Sequence, residues 1–178
     1  MKKILSFKHW QLFLLIVICG AWTSPSPLKE VIHTVSIVTF TIWIYAIGTY
    51  GQDRIGRLGL KPMNVKLFKA NVIIVGALFL ILLFNSAMQE KGSESIDATN
   101  NFDLKDIIFI LLGIYVLFAF FHPILFVCKT IAKIELQREV SVGDYFTNLI
   151  LMFFFFIGVW ILQPRITRLI ITNDHGIA

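Results

Sequence analysis

Four stretches of this chain, 31–49, 71–88, 107–128 and 145–163, contain no aspartate, glutamate, lysine or arginine. Each is close to the roughly 20 apolar residues that a helix needs to cross the hydrocarbon core of a bilayer. In lipid a backbone must satisfy its own hydrogen bonds, so runs of this kind read as helices. Composition supports the same class: 57% of residues are hydrophobic, 15% are charged, and the mean hydropathy is +0.78. A soluble domain is about half apolar and about a quarter charged. Disorder, a coiled coil, a disulfide scaffold and a soluble globular fold are excluded. At 178 residues the chain makes a single transmembrane domain.

A fifth apolar run, 10–22, has only thirteen residues. It reaches spanning length over 5–23 if Lys8 and His9 snorkel to the interface. Lys2 and Lys3 ahead of an apolar core also suit a signal peptide, but no small residues stand at the spacing a peptidase requires. An uncleaved first span is expected.

Loop charges test the count. With five spans and a cytoplasmic N-terminus, eleven basic residues lie inside: Lys2, Lys3, Lys8, Arg54, Arg57, Lys61, Lys66, Lys69, Lys129, Lys133 and Arg138. Five lie outside: Lys29, Lys91, Lys105, Arg165 and Arg168. The alternative, four spans with an interfacial or re-entrant N-terminal helix, divides them eight to eight. Basic residues gather on the cytoplasmic side, so the expected fold is an all-α bundle of five spans. The net charge of +5 is then a matter of topology and lipid headgroups, not of nucleic acid.

Polar groups inside the spans are the default functional candidates. At about 1.5 Å of rise per residue, His33 and Asn85 both fall near the outer face, and His122 and Asn148 near the inner one. Each pair suits an interhelical hydrogen bond. The two histidines lie too far apart in depth to share a metal. Thr34 and Thr41, seven residues apart on the second span, form the candidate lining of a pore. Pro123 is expected to kink its helix, and each span holds one glycine for close helix approach. Cys19 and Cys128 sit in apolar runs with no ligand spacing around them. The outer loop 89–106 is acidic but lacks the order of a calcium loop. Neither a metal nor a cofactor is expected.

Arg165 and Arg168 stand on the outer side in this scheme, against the charge bias. With Ile166, Leu169, Ile170 and Ile171 beside them, they are expected to lie in the headgroup plane and bind lipid phosphates.

Three segments, FKHWQLF at 7–13, ELQRE at 135–139 and WILQPRI at 160–166, together resemble a group of small uncharacterised multi-spanning membrane proteins of Bacteroidetes-type bacteria. The resemblance implies a bacterial inner (plasma) membrane and brings no activity. With no nucleophile–base spacing, no nucleotide loop and no charge in any span, the expected role is non-enzymatic. An accessory or scaffold subunit, working in the bilayer with a membrane-protein partner or as a homo-oligomer, fits best. The alternative is a small oligomeric channel or permease lined by the second span.

Overall fold

A computed structural model describes residues 2–21, 28–89 and 104–171. Among them every regular element is helical: α1 (Lys2–Leu5), α2 (His9–Phe13) running on into a π turn (Leu14–Ile18), α3 (Leu28–Arg57), α4 (Val65–Gln89), α5 (Leu104–Leu136), α6 (Val142–Phe153) and α7 (Phe155–Ile166), with a second π turn at Thr167–Ile171. Three helices, within α3, α4 and α5, are long and apolar enough to cross a membrane. Most of the acidic loop, 90–103, and the side chain of Asp106 lie outside the described residues.

α3, α4 and α5 form the central antiparallel bundle, and small residues set their spacing. A Cβ on Gly48 would stand 2.2 Å from the Phe68 ring, and one on Gly76 would stand 3.0 Å from the Thr41 methyl. Position 41 therefore faces 76, and 48 faces 68. The Phe68 ring in turn stacks on Phe126 at 4.4 Å between centroids. α5 continues through Pro123 to Leu136.

One end of this bundle is knitted by polar contacts. α3 stops where Gly59 takes a positive φ of 73° and the Leu60 N–H reaches back to the Ile55 carbonyl. The following loop is held by Gln52, whose Oε1 accepts from the Met63 N–H at 2.8 Å while its amide donates to Thr130 at 2.9 Å. Lys133, 1% exposed, donates to the Lys61 carbonyl at 2.6 Å and pairs with Glu139. Lys61 and Lys133 thus mark a common basic end. α6 starts there on a cap in which the Ser141 N–H donates to Asp144 at 2.8 Å. That bond, and then Arg138 beside it, hold the Asp144 carboxyl below its usual range.

The run expected to form the fifth span does not go straight through. It breaks at Phe154 (φ −85°, ψ 58°), and α7 folds back along α6. A straight helix would separate Asn148 from Arg165 by about 25 Å, yet Arg165 donates to the Asn148 side-chain Oδ1 at 3.3 Å. Arg165 also pairs with Glu135 at the end of α5. A Cβ on Gly158 would stand 1.7 Å from the Leu151 carbonyl oxygen, so the arms touch along their backbones. Arg165 therefore lies at the same end as Lys61 and Lys133, not at the opposite one. The physical reason is the fold-back: twelve residues in each arm cover only about 18 Å out and back.

The first expected span, 5–23, is likewise not one continuous helix. It breaks at Ser6–Lys8 between α1 and α2, and its widened turn at Leu14–Ile18 leaves the Ile16 carbonyl to accept from Ser36 at 2.7 Å.

Candidate functional site

Two breaks in apolar helices expose backbone groups that something must satisfy. The structure answers with Gln163, which is 1% exposed. Its Oε1 accepts from the Trp43 indole at 2.8 Å, and its amide donates to the carbonyls of Leu5 and Phe7, both at 2.9 Å. Thr167 adds a bond from its hydroxyl to Leu5 O at 2.8 Å. One amide thereby joins three elements: the returning arm of the hairpin, the middle of α3, and the N-terminal break. Around it, Phe155 packs edge-on to Trp43 and Phe40, with centroids 5.8 and 5.4 Å away.

A second polar centre lies below, at the basic end. Asn148, 3% exposed, donates to the Cys128 carbonyl at 3.4 Å and accepts from Arg165, which Glu135 neutralises. These bonds seat the base of the hairpin on α5.

The sequence-predicted residues are distributed differently from expectation. Asn148 is buried, but its partners are Cys128 and Arg165, not His122. The His122 ring instead lies against Phe118 and Phe126, at 5.4 and 6.2 Å. Asn148 meets α5 at Cys128, six residues and about 9 Å of helix rise beyond His122. His33 and Asn85 share no hydrogen bond among the described residues, and Asn85 is exposed. Thr34 and Thr41 donate to carbonyls of their own helix, Glu30 O at 2.7 Å and Ile37 O at 2.8 Å. Their hydroxyls therefore bond back to α3 itself, and Thr41 faces α4 at Gly76. Of the two arginines, Arg165 is held by Glu135 and Asn148, whereas Arg168 is exposed at the same end.

Gln163 is one of the polar residues of the fifth expected span, but at the span's expected end the sequence offers it no partner. Its signal was the sequence Gln163–Pro164–Arg165 itself: an amide followed by a helix-disfavouring residue and a charge, placed where the charge bias objected.

Between α3, α4 and α5 a cleft of about 190 Å³ is lined almost wholly by apolar side chains, Phe40, Phe79 and Phe120 among them. No group of three or more metal-ligating side chains occurs among the described residues. The polar geometry described here latches helices together. Comparison with protein-family models, curated proteins and solved structures gave no match.

Proposed function

We propose that this chain is a non-enzymatic, multi-pass protein of a bacterial inner membrane, an accessory or scaffold subunit that packs with another membrane protein or a second copy of itself. The observation that carries this reading is a contrast. The interior amides of Gln52, Asn148 and Gln163 bond other side chains and backbone groups of the same chain, while long apolar faces stay uncovered. The hairpin tip alone exposes Phe154, Phe156 and Ile157, each above 60%. Exposed apolar surface in a bilayer meets either lipid tails or another helix. The channel alternative is less favoured, because α3 is the most enclosed of the three long helices and the Thr34 and Thr41 hydroxyls bond carbonyls of their own helix.

The topology that goes with this reading has four crossings, the first of them broken, and a C-terminal hairpin that enters and leaves on the cytoplasmic side. It moves Arg165 and Arg168 inside. The charge balance becomes thirteen basic residues inside against three outside, Lys29, Lys91 and Lys105. That is a stronger bias than five spans provide.

A cysteine placed at Ser95 should react with an impermeant thiol reagent added to intact cells, and one at Asn64 should not. Arg168→Cys separates the two counts: it stays unlabelled with four crossings and a hairpin, and reacts if α7 reaches the outer face. For the scaffold role, a photo-activatable phenylalanine analogue at position 156 should yield a discrete protein adduct in native membranes. Adducts to lipid alone, together with solute flux in proteoliposomes, would sink it.

A further inference from the structure

Where the break at Ser6–Lys8 faces the last turn of α7, a pocket of about 310 Å³ opens, lined by Ser6, Lys8, His9, Gln163, Thr167 and Arg168 with two further residues. The chain brings together two segments more than 150 residues apart, and both bring cations. No carboxylate lines the pocket. Elsewhere at the basic end Lys133, Arg138 and Arg165 each hold a carboxylate. Lys8 and Arg168 form no ion pair among the described residues.

The uncharged groups of the pocket are already committed. Ser6 donates its hydroxyl to the Lys3 carbonyl at 2.7 Å, Thr167 to those of Leu5 and Gln163, and the Gln163 amide is saturated by its three bonds. The donors left for a ligand are therefore the ammonium of Lys8, the guanidinium of Arg168 and the His9 ring. That set selects an anion over a neutral hydrogen-bonding molecule, and a guanidinium suits phosphate oxygens in particular.

Aromatic residues fix the depth of the pocket. Trp160, 46% exposed, stands beside it, its ring 4.5 Å from that of His9. Half-exposed indoles settle at the headgroup level of a bilayer. The geometry points to this pocket as the seat of an anionic phospholipid of the cytoplasmic leaflet, its phosphate between Lys8 and Arg168 and its glycerol backbone beside Trp160. This assignment rests on the orientation given above, with the basic end at the cytoplasmic headgroups.

The test uses the full chain in detergent micelles, with phosphatidylglycerol carrying brominated acyl chains to quench tryptophan. Quenching should require about tenfold less brominated phosphatidylglycerol than brominated phosphatidylcholine. The double variant K8Q/R168Q should lose that preference. K61Q/K66Q, which removes two charges elsewhere at the same end, should keep it, and K8R/R168K should keep most of it. Equal quenching by both lipids in the unaltered protein overturns the site, whatever the variants do. So does an equal loss in K61Q/K66Q, which means diffuse surface charge. Displacement by millimolar inorganic phosphate would make it a free-anion site and overturn the lipid assignment. Micelles carry no sidedness, so failure here leaves the topology to the labelling experiment, and the reverse also holds.

Discussion

Alanine at position 158 should prevent the C-terminal hairpin from closing. The added Cβ would stand 1.7 Å from the Leu151 carbonyl oxygen, about half the separation at which nonbonded heavy atoms rest. The obstructing atom belongs to the backbone, so no side-chain rotation relieves the clash and the arms themselves must part. Parting them pulls Arg165 from Glu135 and Asn148, leaving the side-chain oxygen of the buried Asn148 without a partner. Overpacking an ordinary core costs about 1–3 kcal/mol, and the lost contacts add to that. A drop in Tm of roughly 10 °C is expected. Gly113→Ala is the matched control: it sits in the middle of α5 with nothing within 4 Å of the new methyl group, and it should be neutral or slightly stabilising. If both alanine variants melt together with the parent protein, the arms are not in backbone contact. Gly48→Ala should fall between them, because the Phe68 ring can tilt away where the Leu151 backbone cannot.

The three long helices were legible because length and freedom from charge together leave a segment little else to be. Their register was not. A sequence shows that Gly48 and Gly76 are small, but only the packed bundle shows which ring or methyl uses the space. The hairpin was hidden for a different reason. The phenylalanine run at 153–156 is apolar on every side, so periodicity carries no mark of the single residue where the chain reverses. Nineteen uncharged residues satisfy the length test for a span whether they go straight across or go in and come back.

The warning lay in charge rather than hydropathy. Arg165 and Arg168 were the residues that the five-span scheme had to excuse, and they are the ones the fold-back returns to the other basic residues. The His122–Asn148 pairing is not formed because a depth counted from span ends is coarse: Asn148 reaches α5 about 9 Å beyond His122, and a helix turns about 100° per residue, so depth leaves the facing side unspecified. At His122 the neighbouring rings are Phe118 and Phe126, each four residues away on the same helix.

Gln163→Leu should cost the protein more than any other single uncharged substitution outside Gly158. A lone hydrogen bond between helices in a membrane is worth little, about 0.6 kcal/mol on average and at most about 1.7. Gln163 differs because its three bonds go to separate pieces of chain, and leucine replaces none of them. The Leu5 carbonyl keeps Thr167 as a donor. The Trp43 indole N–H, on a side chain that is 0% exposed, and the Phe7 carbonyl lose the bonds that Gln163 supplied. Each such orphan costs about 1–3 kcal/mol, so a loss of about 2–6 kcal/mol and a Tm lower by roughly 5–20 °C are expected. The cause can be isolated by a cycle with Trp43→Phe. In the parent protein that change removes an indole and orphans the Gln163 oxygen; beside Gln163→Leu it removes an N–H that has no partner. The second step should therefore be the smaller by more than about 0.5 kcal/mol, a coupling typical of residues in one network. Strict additivity would mean that the amide merely fills space at the break between α1 and α2. The N-terminal segment would then be held by the Thr167 and Ser36 hydroxyls and by the burial of Ile4, Leu5 and Leu12.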